Sequence, residues 1–377
     1  MVLIIGTQEE ILKYKESPAV NQSTLKNLEG GLLDFQRKQA REDVSKPYLD
    51  TGSAIDTVLT GEEGAFERDF YVSTLDKKPS EKIQEMLQWI FERKYHNGNL
   101  MSQKDLIAEA SSLFEYQPNW GEETKVKKIS EDTVNQAYWL DLCESAGKTI
   151  LTMEQWETIQ KVVDSLGTNP LTAGYFDRGL TQKNLIRLYQ KPIYFEYEGI
   201  RCKALPDIVD IIVNEDATKV VSVQVIDVKT TSKDTIHFAE SALNYRYDIQ
   251  VAFYDLALQW AYADYWESIM DVLGRRIEDV ESYCTINPEF IVESTTSTGT
   301  PLIYKTTANF LLRGRFGEFP KIKQSESIAY ALNGMGVLKS TSKTVYGIED
   351  YIKEYRYYLD NNFSEDIRLI FGKHLLL

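Results

Sequence analysis

The 377-residue chain is 43% hydrophobic and 12% aromatic, long enough to bury a substantial core and too apolar for wholesale disorder. It carries a formal net charge of −15, and no apolar run reaches the roughly 18–20 residues that a bilayer crossing requires. Three scattered cysteines, Cys143, Cys202 and Cys284, exclude a disulfide scaffold and the usual zinc or iron–sulfur spacings, and they read as reduced, packed thiols.

In chain order, Met1–Gly6 is too short for the apolar part of a signal peptide and charge follows at once, so a soluble cytoplasmic protein is the default expectation. Ser17–Ser23 reads as an extended lead-in, with Asn21 or Ser23 capping a helix from about Thr24 to Gln39. Gly52–Leu59 is expected as a second, mostly buried helix, and Phe70–Thr74 as a strand. From about 79 to 190 helical periodicity dominates, as in Ile83-Met86-Leu87-Ile90-Phe91 and Trp156-Ile159-Val162-Val163-Leu166. Thr152 and Gln155 fit a capping box ahead of the second of these. Residues 77–150 are polar and charged and read as a helical insertion.

From Pro192 to Lys229 the pattern changes to a meander of strands rich in β-branched residues, with turns at Glu198-Gly199 and Asn214–Asp216. A helix is expected from about Tyr247 to Tyr265, strands at Pro288–Glu293 and Leu302–Thr306, and a terminal helix from Ile348 to Leu359. A glycine-punctuated segment at 308–346 reads as a second insertion. The class is therefore α/β or α+β, with a central mixed sheet flanked by helices and the core sheet and helix at 190–265. The whole of 1–377 is read as a single domain carrying those insertions.

The informative unit is Pro206-Asp207, then Asp227-Val228-Lys229, then Gln250-Val251-Ala252-Phe253-Tyr254. In a strand, alternate side chains share a face, so Asp227 and Lys229 point together with Val228 opposed. Asp207 stands just before a neighbouring strand, and strands lie about 4.8 Å apart, so the two aspartates can meet over one cation. With only His96, His237 and His374 in the chain, a metal would be held mainly by carboxylates, which favours magnesium or manganese over zinc. A lysine beside such a site can orient a water or stabilise charge on phosphorus, while Gln250 and Tyr254, one helical turn apart, present polar groups to the same place.

At these residues the chain resembles the PD-(D/E)XK nucleases of the RecB and exonuclease VIII (RecE) type. The resemblance rests on Gly199–Asp207, Ile226–Thr231 and Tyr247–Tyr254. It extends to Ser17–Lys26, to Leu151–Pro170, and to Gly52-Ser53-Ala54-Ile55-Asp56, which is similar to the family's Gly-[Ser/Thr]-Ala-x-His element. The resemblance implies a restriction-endonuclease-like core, with Asp207 and Asp227 as magnesium ligands, manganese as a substitute, and the Val228 carbonyl as a third donor. It makes Lys229 the catalytic lysine and has Gln250 and Tyr254 line the site and position DNA. Asp56 stands where the family commonly has a histidine ligand, and it is carried as a further candidate ligand. The implied activity is a DNA exonuclease at duplex ends, phage-encoded and serving recombination or repair, with a ring-shaped homo-oligomer and a single-strand annealing protein as partners. The net charge of −15 opposes a uniformly basic DNA-binding surface and requires any such surface to be local. The alternative is a catalytically weak DNA-binding or assembly subunit that keeps the nuclease fold.

Overall fold

The computed structural model describes residues 1–40, 47–93, 100–179, 181–274, 277, 283–317 and 346–363. Most of the segment read as a C-terminal insertion, 318–345, therefore lies outside the described residues. The chain folds as two compact units, one formed by 1–42, 60–62 and 165–377, the other by 43–59 and 63–164. In chain order the described strands are β1 Val2–Ile5, β2 Phe70–Val72, β3 Thr149–Leu151, β4 Leu185–Tyr189, β5 Ile193–Tyr197, β6 Ile200–Ala204, β7 Ile208–Val213, β8 Val220–Thr231, β9 Cys284–Ser294 and β10 Leu302–Lys305.

The first unit is built on a six-stranded sheet in the order β1-β4-β7-β8-β9-β10. β1 runs parallel to β4 and β8 parallel to β9, whereas β4/β7, β7/β8 and β9/β10 are antiparallel, so the sheet is mixed as expected. β4 falls in the stretch expected to be helical. Its five residues Leu185–Tyr189, Arg187 among them, are all buried between two neighbouring strands, and a run buried on both faces carries no alternation to distinguish strand from helix. The Pro192–Lys229 meander is also divided: β5 and β6 form a separate two-stranded hairpin, and only β7 and β8 enter the main sheet. The single helix expected over 24–39 is two, Gln22–Lys26 and Leu32–Ala40, because Gly31 adopts φ 84° and breaks the run. Asn21 caps the first through its side-chain oxygen, which accepts from the Thr24 amide at 2.8 Å.

One helix decides where the chemistry sits. Tyr247–Gln259 is buried at every position from Asp248 to Leu258, so it lies inside the core rather than on its surface. On its sheet side Val251 joins Phe290 and Val292 of β9 in one apolar cluster. On another side the Ala308–Phe316 helix comes so close that a Cβ on Gly314 would stand 1.8 Å from the Asp248 carbonyl oxygen. The helix expected to reach Tyr265 stops at Gln259, and a second runs from Ala263 to Leu273. Cys202 is buried and Cys143 half-buried, but Cys284, expected to be packed, is exposed at the start of β9.

The second unit pairs β2 with β3 in parallel and packs helices Glu81–Arg93, Lys104–Leu113, Glu122–Ser130 and Thr133–Ser145 around Met86, Leu87, Ile90, Ile107 and Trp139. The 77–150 segment lies within it. The Thr152–Gln155 capping box forms in both directions, at 2.9 and 3.1 Å. The Ser73 hydroxyl donates to the buried carboxylate of Asp141, on the Thr133–Ser145 helix, at 2.5 Å, and Lys78 pairs with Asp50 at 3.6 Å. No helix among the described residues is long and apolar enough to cross a membrane.

Candidate active site

The site forms where the β7/β8 ladder ends. The last pair in register is Ile208 with Ile226, which places Asp207 next to Asp227 on the neighbouring strand. Beyond that pair the strand supplies no partner for the Val228 amide, and the Asp207 side chain takes its place: Oδ2 accepts from Val228 N at 2.8 Å. Pro206 sets this up, because proline has no N–H to continue the ladder and favours an extended residue before it. Asp210, three residues further on, points to the other face and is held by Arg187 of β4 through two bonds of 2.6 Å. It therefore stands outside the site, as its spacing from Asp207 suggests.

Asp227 is 1% exposed, so its charge must be met by the protein. Oδ1 accepts from Gln250 Nε2 at 2.9 Å and lies 3.5 Å from the Tyr254 hydroxyl. The second Gln250 amide hydrogen goes to the Tyr254 oxygen at 2.9 Å, and that hydroxyl also reaches the Leu205 carbonyl at 3.4 Å. Gln250 and Tyr254 therefore brace Asp227 from one helix while Tyr254 contacts the segment that carries Asp207. Oδ2 is buried, makes no hydrogen bond of ordinary geometry, and rests against the Lys229 ammonium. Five residues singled out in the sequence, Asp207, Asp227, Lys229, Gln250 and Tyr254, are thus brought together.

The electrostatics follow from that packing. Burial alone would lower the Lys229 pKa, but the carboxylates of Asp227 and Asp207 outweigh it and hold the ammonium above the usual lysine range. Its Nζ also lies 5.1 Å from the centroid of the Tyr247 ring. Burial, reinforced by the same two carboxylates, pushes the Tyr254 phenol well above its ordinary value, so it serves as a neutral hydrogen-bonding group.

Asp207 and Asp227 suit a magnesium ion, which is commonly held by one or two protein carboxylates with water and phosphate oxygens completing its octahedron. The buried Oδ2 of Asp227, lacking an ordinary hydrogen bond, is the atom that fits this role. No cluster of three or more His, Cys, Asp or Glu able to hold a metal occurs among the described residues. Asp56 lies half-buried on the Pro47–Thr60 helix, in the second unit, whereas Asp207 and Asp227 belong to the first.

Sequence reasoning missed the clamp that fixes the helix bearing Gln250. Asp248 is fully buried between Arg246, at 3.0 Å, and Arg313, at 2.8 Å. Arg246 adopts φ 57° at the start of that helix and also donates to the Tyr346 carbonyl at 2.6 Å. The Arg-x-Asp spacing is a local signal for half of the clamp, whereas Arg313 arrives from a distant helix with no signal of its own.

No family model and no curated protein matches the chain. Among solved structures, one from Eubacterium rectale, described as an exonuclease by provisional assignment, is similar at 12% identity with a TM-score of 0.41. That alignment covers 96% of this chain and 88% of the other.

Proposed function

We propose that the first unit is the catalytic core of a magnesium-dependent DNA nuclease of the PD-(D/E)XK type. The observation that carries the reading is the convergence of Asp207, Asp227 and Lys229 at the end of one ladder, with Gln250 and Tyr254 bonded to Asp227 from the adjoining helix. Asp207, Asp227 and the Val228 carbonyl would hold the ion, with Asp56 a further candidate ligand and manganese a substitute. When bound, the ion supplies Lewis acidity toward a phosphodiester oxygen and lowers the pKa of water. The protein's own contributions are separate. Lys229 offers a fixed positive charge to the non-bridging phosphate oxygens, whose charge grows as water oxygen bonds to phosphorus and the ester P–O bond breaks. Gln250 and Tyr254 hold the Asp227 carboxylate in a single orientation, leaving Oδ2 turned toward the site.

The resemblance extends this reading to an exonuclease at duplex ends, phage-encoded, working in recombination or repair with a ring of its own copies and a single-strand annealing partner. The test is hydrolysis of linear and closed circular duplex DNA with magnesium or manganese. Wild type is expected to degrade the linear form, and Asp227→Ala and Lys229→Ala to lose about 100-fold or more of that rate. A second reading, a DNA-binding or assembly subunit that has kept the fold, draws on there being no cluster of three or more metal-holding side chains among the described residues. Intact DNA with all three proteins in both metals would sink the enzyme and leave that reading.

A further inference from the structure

A cavity of about 320 Å³ opens beside the site, and Gln250, whose amide holds Asp227, forms part of its wall. Lys26, Lys38 and Arg246 also line it, together with Tyr245 and Tyr247, and Glu29 is an acid at its edge. In a chain of net charge −15 such a concentration of cations is local, as any nucleic-acid surface here has to be. The three cations are not equivalent. Arg246 shares Asp248 with Arg313, and Lys38 forms an exposed pair with Asp34 on its own helix at 2.7 Å. The Lys26 ammonium is half-buried and reaches the Tyr245 carbonyl at 2.5 Å, which draws the lysine and the tyrosine backbone together across the cavity.

Tyr245 itself is 61% exposed. A surface tyrosine is ordinary taken singly. Here its ring lies 6.0 Å from that of Tyr247 at an interplanar angle of 37°, and Tyr247 in turn carries the Lys229 ammonium over its face. An open aromatic face, a flanking cation and a wall of amide groups make a stacking platform with a backbone-tracking charge, which is how single-stranded nucleic acid is held without sequence preference. A cavity of this size admits a small ligand such as one nucleotide and is too small for a duplex.

We propose that Tyr245 stacks on the base of a nucleotide next to the scissile phosphate, with Lys26 meeting its backbone, so that the groove takes an unpaired or frayed strand. The proposal rests on the nuclease reading of Asp207, Asp227 and Lys229, and names the form of substrate that site receives. Because stacking needs a base free of its neighbour, Tyr245 acts as a specificity residue and takes no part in bond breaking.

The test is fluorescence anisotropy of the full chain, in EDTA to prevent cutting, with a short fluorescein-labelled single-stranded oligothymidylate. Tyr245→Ala is expected to weaken binding about tenfold, Tyr245→Trp to retain it, and Lys26→Ala to weaken it while lowering the salt slope by about 0.7. Abasic substitutions walked along the probe should find one position that costs wild type the same factor and costs Tyr245→Ala nothing more. Equal affinity of Tyr245→Ala and wild type, or no binding by wild type, overturns the proposal. Hydrolysis is read separately: cleavage by wild type with no change in KM for Tyr245→Ala sinks the platform alone. Base-dependent binding through Tyr245 without any cleavage sinks the nuclease reading alone.

Discussion

Replacing Asp248 with asparagine is the sharpest structural test of how the site is held. The carboxylate is fully buried and accepts three charge-assisted bonds: Arg246 Nε at 3.0 Å, Arg246 Nη2 at 3.3 Å and Arg313 Nη1 at 2.8 Å. The substituted amide would keep the size and one acceptor but remove the charge, leaving two guanidiniums facing each other. Removing one member of a buried ion pair costs about 3–5 kcal/mol, mainly because the remaining charge is stranded. Arg313 is the less confined partner, with 23% of its side chain exposed against 9% for Arg246, so it can turn toward water. The expected order of destabilisation is therefore Asp248→Asn, then Arg246→Met, then Arg313→Met. With about 2–4 °C lost per kcal/mol, Asp248→Asn should melt roughly 10 °C below wild type by circular dichroism or calorimetry. Gln250 lies two residues along the same helix, so hydrolysis should fall even at temperatures where the variant stays folded. A loss under about 1 kcal/mol for Asp248→Asn, or Arg313→Met costing more than Arg246→Met, would refute the clamp.

Three further outcomes are expected. Magnesium at about 100 times its Kd should stabilise wild type by about 2.7 kcal/mol, seen as a rise in Tm, and chelation should reverse it; Asp227→Ala should show no rise. A thiol reagent should modify exposed Cys284 in the native protein and spare Cys202, whose thiol burial pushes up to about 12, until denaturant is added. If Cys202 reacts as fast as Cys284, the core around β6 opens readily. In the second unit, burial and then Glu144 raise the Asp141 carboxyl above the usual aspartate range, against the lowering effects of Ser73 and Lys78. A raised acid binds its proton more tightly when folded, so its cost is absent below the unfolded pKa of about 3.9 and complete above the folded value. Asp141→Asn should accordingly raise Tm at about pH 7, with the gain shrinking as pH falls from the folded value toward about 4 and gone below it, and a gain independent of pH would contradict this assignment.

The parts of the site legible in the sequence are those that strand and helix periods fix. Alternation in β8 puts Asp227 and Lys229 on one face, and one helical turn puts Gln250 under Tyr254. The pairing of Asp207 with Asp227 is readable because the Asn214–Asp216 turn joins two consecutive strands. Contacts that need distant partners are not readable. β1 and β4 pair across an intervening stretch of sequence that contains the whole second unit, and the run Leu185–Tyr189, buried on both faces, shows no period. Gly31 is visible as a glycine, but its φ of 84°, which splits the expected 24–39 helix, depends on how the next helix docks. Arg313 and Lys26 look like any solvated cation until Asp248 and the Tyr245 carbonyl are seen beside them.

Lys229 holds two roles that a single substitution can separate. Its ammonium is the countercharge for Asp227 Oδ2, and it is also the cation proposed to meet the phosphate. As countercharge it competes with any metal ion for the same oxygen, because one buried carboxylate oxygen cannot be close to both without strong repulsion between them. As catalytic cation it is needed only once substrate is present. Lys229→Ala removes the competitor while keeping both carboxylates and their Gln250 and Val228 donors. The magnesium-dependent rise in Tm should therefore survive in Lys229→Ala, at a magnesium midpoint no higher than that of wild type, while hydrolysis falls about 100-fold or more. If Lys229→Ala loses the metal response together with activity, as Asp227→Ala should, the lysine is needed to assemble the carboxylates and its loss says nothing of catalysis.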